Sequence, residues 1–254
     1  MRQPRRAEIL RRLRAGGVVE VQQLARDFEV SRSTIRRDLD VLEEEGLAQR
    51  VHGGAALPAG APDADLMRPF EQVAVADVAA KERVAACAAG LVDDGQTVLL
   101  DIGTTTMLLA RALRGRPVTV VTASLAVLDE LRDDPHVELI VLGGVLRRSY
   151  RSLVGSLTED ALRQVRADLV FLGTSGISAE GDIRDTTSVE VPVKRALLAS
   201  AQRRVVLADA HKLPGTGALR VCGADQIDTL VTNEGADAAT LRTMRAAGAQ
   251  VRTA

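Results

Sequence analysis

Two patterns of apolar and polar positions divide the chain. Up to about residue 57 the apolar residues recur at helical spacing. Ile9, Leu10 and Leu13 share one face of a helix predicted over 4–15, which Gly16-Gly17 stops. Val21, Leu24, Ala25 and Phe28 fall at i, i+3, i+4 and i+7 and predict a second helix over 21–28. A short turn at Glu29-Val30 leads to Ser31, a good N-cap because its hydroxyl accepts from a backbone N–H that the first helical turn leaves free. The third helix runs from there to about Glu45, with Ile35, Leu39 and Leu42 as its buried stripe, and ends at Gly46. Residues 47–51 alternate and run into His52-Gly53-Gly54-Ala55, which reads as a β-hairpin wing. Residues 58–72 are rich in Pro, Gly and Ala and predict a linker.

From Val73 onward short apolar, β-branched runs alternate with helical patterns. Strands are predicted at 97–101, 118–122, 137–142, 169–172, 205–209, 229–232 and 250–253. Helices are predicted near 73–92, 105–113, 124–132, 158–166, 189–201 and 237–247. Near-continuous apolar strands separated by helices imply a parallel sheet covered on both faces. The predicted architecture is therefore α/β: a small N-terminal tri-helical module with a wing (1–57), a linker (58–72) and a C-terminal, mostly parallel α/β domain (73–254).

Composition narrows the function classes. With 46% hydrophobic residues the chain can bury a proper core, whereas 2% aromatic residues speak against base-stacking platforms for single-stranded nucleic acid. The formal net charge is −1, so any nucleic-acid surface must be local. Cys87 and Cys222 lie far apart with no histidine at ligand spacing, which predicts free thiols, no metal and no cofactor. No signal-like start and no run of 18 apolar residues occurs, so a soluble, cytoplasmic protein with no membrane partner is expected. Lysine is confined to Lys81, Lys194 and Lys212, and each stands out against the arginine background as a candidate site residue.

Charge is placed unevenly in the N-terminal module. Six arginines, including Arg5 and Arg6, stand against one glutamate in the first 14 residues, and 31–37 holds Arg32, Arg36 and Arg37 with no acid. Asp38, Asp40, Glu43, Glu44 and Glu45 follow and are expected at the helix end away from DNA. Ser33 and Arg37 project roughly opposite the buried stripe, flanked by Arg32 and Arg36, with Thr34 in the same turns. Such a helix suits the major groove, with Ser31 at its start and free N–H groups for a phosphate. Arg50 and His52 on the wing can reach the backbone or minor groove. Scattered arginines on amphipathic helices are the bland alternative.

The run Ser31-Arg-Ser-Thr-Ile-Arg-Arg-Asp-Leu39, followed by Gly46-Leu and Arg50-Val-His-Gly-Gly54-Ala, closely resembles the DeoR-family winged helix-turn-helix over residues 5–57. The resemblance implies that Arg32, Ser33, Thr34, Arg36 and Arg37 meet a double-stranded DNA operator.

In a parallel α/β sheet, ligands bind beyond the carboxyl ends of the strands. Those ends read Asp101-Ile-Gly103-Thr104-Thr105-Thr106, Thr122-Ala-Ser124, Gly143-Gly144, Gly173-Thr174-Ser175-Gly176, Asp209-Ala-His-Lys212 and Thr232-Asn-Glu-Gly235. Glycines allow close backbone approach, hydroxyls hydrogen-bond and helix N-termini favour anions, which suits a small phosphorylated ligand. Capping alone is the alternative for each turn. Lys194 follows Glu190 by four residues and is read either as their ion pair or as a cation for a ligand; Lys212, directly after a strand, is read as a site residue. The loop holding Asp182 and Asp185 either caps the pocket or is merely solvated.

Residues 71–235 resemble the DeoR-family sensor domain, which is similar to the ribose-5-phosphate isomerase fold. The resemblance implies a sugar-phosphate effector and points to Asp101, Gly103, Thr104, Thr105, Thr122, Ser124, Gly143, Gly144, Gly173, Glu190, Lys194, Asp209 and Lys212. The chain departs from the family pattern at Ala123, Ser175 and Asn233, where polar or acidic residues are common. Two classes compete: a ligand-responsive repressor, and an isomerase fused to a DNA-binding module. An isomerase needs a positioned base, and Ser175 stands where such enzymes carry an acid. The regulator is therefore expected, as a homo-oligomer (dimer or tetramer) on repeated half-sites, with the helix at 73–92 as a candidate subunit contact.

Overall fold

The computed structural model describes residues 5–6, 8–9, 12–13, 18–51, 53–56 and 70–254. The chain forms two compact units, Met1–Gln72 and Val73–Ala254. In the first, residues 5–6, 8–9 and 12–13 are helical (α1). There follow β1 (Val18–Glu20), α2 (Val21–Asp27), α3 (Arg32–Glu44), β2 (Gln49–Val51) and β3 (Gly54–Ala56). Ile9 and Leu13 of α1, Val21 and Leu24 of α2, and Ile35, Leu39 and Leu42 of α3 meet in one buried core. Leu10, His52 and the predicted linker up to residue 69 lie outside the described residues.

Ser31 caps α3, its hydroxyl accepting from the Thr34 N–H at 3.1 Å. Ser31→Ala is expected to cost about 1 kcal/mol. In a unit of this size that lowers the melting temperature by about 4–8 °C, and an unchanged melt would show that the cap contributes nothing. The wing strands β2 and β3 pair antiparallel, and β1, which the sequence does not announce, adds to them in the order β1-β3-β2. Gly54 belongs at this junction because a Cβ there would lie 1.9 Å from the Val19 carbonyl oxygen.

α4 (Phe70–Ala74) runs across the boundary between the units in sequence, and α5 (Val78–Ala89) follows within the second. α4 starts inside the predicted linker, and the single helix expected over 73–92 is two. Asp77 takes φ 49°, a left-handed conformation that breaks the helix, and the Lys81 ammonium donates to the Val73 and Ala76 carbonyls that the break frees.

The remaining elements alternate as expected: β4 (Thr97–Leu100), α6 (Thr104–Ala112), β5 (Thr119–Thr122), α7 (Leu125–Leu131), β6 (Glu138–Val141), β7 (Val145–Arg147), β8 (Ser152–Val154) and α8 (Ser156–Arg163). Next come β9 (Ala167–Gly173), β10 (Gly176–Ile177), β11 (Ile183–Asp185), α9 (Val191–Ala199), β12 (Ala201–Leu207), β13 (Leu219–Cys222), β14 (Thr229–Thr232), α10 (Ala238–Ala246) and β15 (Gln250–Thr253). All seven predicted strands form one parallel sheet in the order β15-β14-β12-β9-β4-β5-β6.

Alternation along the strands splits the apolar residues between two cores. Val98, Leu100, Val120 and Phe171 pack with α5, α6 and α7, while Leu99, Val121, Val170 and Leu172 pack with α8, α9 and α10. Val84, Ala85 and Ala88 of α5 are spent in the first of these cores, while Val75 before the helix and Val78 at its start are exposed. Two small antiparallel additions lie outside the expected alternation: the β7–β8 hairpin and the sheet β10-β11-β13. No helix among the described residues is long and apolar enough to cross a membrane.

Candidate functional site

The first two turns of α3 present one face to solvent. Arg32, Ser33, Arg36 and Arg37 are exposed while Ile35 and Leu39 turn inward. Among the described residues no carboxylate pairs with Arg32, Arg36 or Arg37. The Ser31 hydroxyl is committed locally, to the cap and to contacts of 2.8 Å with the Ser33 and Thr34 hydroxyls. Arg5 and Arg6, expected at DNA, are engaged within the module: their Nε atoms donate to Asp38 at 2.6 and 3.1 Å. Asp38, expected at the helix end away from DNA, is buried by that pairing. The acids that follow serve the wing. Glu43 accepts the Arg50 backbone N–H at 2.8 Å, and the Arg50 guanidinium lies 3.7 Å from Asp40.

In the seven-stranded sheet, chain order runs outward from β4 to β6 on one side and from β9 to β15 on the other. The β4–β9 junction is thus the topological switch point, where loops diverge and leave a crevice. Asp101 ends β4 there and accepts the Gly173 N–H from the end of β9 at 3.0 Å. Lys194 of α9 closes the junction, bonding Asp101 and donating to the Gly173 carbonyl at 2.9 Å. It also lies 3.4 Å from Asp185. Lys194 therefore turns to Asp101 and Asp185, and Glu190 pairs instead with Arg147 of the β7–β8 hairpin, with the Ser152 hydroxyl donating at 3.3 Å. The loop holding Asp182 and Asp185 is not merely solvated. Asp185 is buried and accepts the N–H groups of Thr186 and Thr187 at 2.7 and 3.0 Å, while Asp182 takes Arg220 at 2.7 Å.

This cluster is dense in charge and buried. Burial pushes the Asp101 carboxyl up despite Lys194. Burial pulls the Lys194 ammonium down, but Asp101, Asp185 and Glu190 overcome it and hold the proton more firmly than usual. Burial lifts Glu190 from 4.5 to about 7 against the pull of Arg147 and Lys194. With the folded value above the unfolded one, the contribution of Glu190 to stability is fullest below pH 4.5 and falls as pH rises toward 7, by about 2–3 kcal/mol. Glu190→Gln should remove that part of the fall, measured by urea unfolding at pH 5 and 7.5; an identical pH slope in the variant would refute it.

Two buried oxygens of the cluster, Asp101 Oδ1 and Thr187 Oγ1, have no hydrogen-bond partner, nor does Thr232 Oγ1 at the end of β14. The ammonium of Lys212, half-buried after β12, makes no hydrogen bond or ion pair among the described residues, while its backbone N–H donates to Asp209 O at 3.0 Å. Burial lowers its pKa, opposed by Asp209 and reinforced by Lys81 and Lys194. The chain's three lysines thus act on one another around the strand ends.

Other predicted residues are occupied by the fold. The Thr122 hydroxyl donates to Leu100 O at 2.7 Å, and Ser124 caps α7 through the Val127 N–H at 3.3 Å. Thr106 bonds Gly103 O, and Thr174 bonds the carbonyls of Gly176 and Arg184. The Ser175 hydroxyl meets that of Thr186 at 3.3 Å, with no carboxylate or histidine bonded to it among the described residues. Gly143 O accepts from the Thr158 hydroxyl, and a Cβ on Gly144 would lie 2.1 Å from Thr158 Oγ1. Thr104 and Thr105 are buried in the first turn of α6, behind Gly103. Arg147 and Thr187 escape a reading of strand ends because they come from the added hairpin and loop, and Asp185 is marked in the sequence only as part of that loop. Only the scarcity of lysine marks Lys81.

Comparison with known proteins bears on both units. Residues 5–60 match the DeoR-like helix-turn-helix domain and residues 76–234 the DeoR C-terminal sensor domain. The chain is 32% identical over 251 residues to the HTH-type transcriptional regulator GolR of Listeria innocua, covering 98% of each. It is 31% identical over 226 residues to the glycerol-3-phosphate regulon repressor of Escherichia coli, covering 89% of this chain and 88% of that one. Among solved structures, ribose 5-phosphate isomerase A of Methanocaldococcus jannaschii is similar at TM-score 0.39 and 19% identity, over 52% of each chain. A helix-turn-helix of this sequence joined to this sensor domain makes the chain a member of the DeoR family of transcription regulators.

Proposed function

We propose that this regulator represses a carbohydrate-metabolism operon and releases its operator when a phosphorylated sugar binds at the strand ends of the sensor domain. The observation that carries the DNA half is the exposed, uncompensated triad Arg32, Arg36 and Arg37 on a helix whose opposite face is core. Three guanidinium groups in two turns give phosphate attraction and base-edge reach together. Ser33 and Thr34 flank them, and the wing around Arg50 adds backbone contact. Arg5 and Arg6 act through Asp38, by fixing α1 on the reading helix.

The effector half rests on the free Lys212 beside a cluster that leaves Asp101 Oδ1 and Thr187 Oγ1 unsatisfied. A phosphate fits the lone ammonium, and sugar hydroxyls fit the orphaned oxygens. Lys194 orders the carboxylates, Glu190 and Asp209 frame them, and Gly173 admits close backbone approach. Turnover is not expected, because Ser175 Oγ has no base beside it. Two copies at least act together, since one module of this size is too small for strong specific binding alone.

The test is fluorescence anisotropy on the gene's own upstream DNA at fixed salt, against a scrambled duplex, with and without a panel of sugar phosphates. Preference for the native sequence, weakened by one phosphate, supports the reading. Equal binding to both duplexes sinks it, and turnover in a coupled isomerase assay would favour the enzyme.

A further inference from the structure

We propose that Lys81 couples occupancy of the strand-end site to residues 73–77, the segment by which the chain enters the sensor unit; this rests on the reading of those strand ends as an anion site. Lys81 is buried and donates to Val73 O at 2.5 Å and to Ala76 O at 2.6 Å. Those carbonyls belong to the end of α4 and to the break before α5, so one ammonium holds the break closed. The same break is approached from the other side by an exposed histidine. His211 Nε2 lies 3.9 Å from Asp77 Oδ1, and His211 directly precedes Lys212. Asp209 is buried just after β12, its backbone carbonyl accepts the Lys212 N–H at 3.0 Å, and its carboxylate attracts both Lys81 and Lys212.

Asp209 is thus shared between two cations, one holding the break and the other open to a ligand. An anion on Lys212 takes over part of its charge and repels Asp209. Asp209 then draws harder on Lys81, at the expense of the Val73 and Ala76 carbonyls. Charge arriving at the site is converted into a looser turn at 75–77. α4 begins at Phe70, in the stretch that leads from the DNA-reading unit, so the change starts where the two units are joined in sequence. Coupling of this kind needs only that the ligand favour one of two arrangements of the break.

The experiment is hydrogen exchange on the full chain with and without saturating inorganic phosphate, alongside its melting temperature. Phosphate should raise the melting temperature of wild type and speed exchange of amides 74–81 at least about threefold. In Lys81→Met the melting shift should remain and the exchange response vanish. Lys81→Gln, which keeps one donor and removes the charge, serves where Lys81→Met does not fold. A melting shift that Lys212→Met abolishes, with exchange at 74–81 unmoved in wild type or equally moved in the Lys81 variants, overturns the coupling alone. No phosphate effect on wild type at all overturns the anion-site reading and the coupling with it.

Discussion

Lys194→Met is expected to be the most damaging single substitution in the sensor domain. The ammonium is buried against Asp101 and Asp185 and also holds the Gly173 carbonyl. Its removal leaves two carboxylates in the interior with no cation between them, a change that costs about 3–5 kcal/mol. For a unit of this size that corresponds to roughly 10 °C in melting temperature. The loss has a signature. Uncompensated carboxylates carry raised pKa values, so the deficit should shrink as pH falls and they protonate. Lys194→Arg should not rescue, because a planar fork does not fit a three-way junction built for a compact ammonium. A melting shift within a degree or two at pH 7 would show the cluster to be unimportant for stability.

The second large effect belongs to α3. Arg36→Ala with Arg37→Ala is expected to weaken operator binding about 100-fold or more while leaving the melting temperature unchanged, since both side chains point to solvent. For every arginine that no longer reaches a phosphate, the dependence of log affinity on log salt should also flatten by about one unit. Arg5→Ala makes the informative contrast. It should lower stability, because the buried Asp38 is deprived of its partner, and leave the salt slope nearly intact. Loss of stability rather than affinity in the α3 variant, or a salt slope equal to wild type, would assign the reading face elsewhere.

The sequence carries the local structure and the sheet well. The α3 cap, its stripe and the seven parallel strands follow from Ser31, from period 3.6 and from continuous β-branched runs, all of them local signals. What is not legible depends on neighbours distant in sequence. β1 is three residues long and is a strand only because β3 offers it an edge. β10, β11 and β13 are short and gathered from far apart. Asp38 reads as a surface acid until α1 folds back on it. Glu190 and Lys194 have the spacing of an ordinary helical pair, yet each finds a partner on another element, 43 residues away for Arg147 and 93 for Asp101. The helix break at 75–77 has no Pro or Gly to mark it, and is held by one buried lysine.

That lysine belongs to a set with a practical use. All three lysines of the chain stand around one site, Lys81 and Lys194 buried and Lys212 half-buried. A lysine-directed protease therefore has no target on the rest of the folded surface, and its first cut, expected after Lys212, clocks the opening of the sensor site alone. Slower cutting in the presence of a candidate metabolite would rank ligands without DNA, labels or knowledge of the operator.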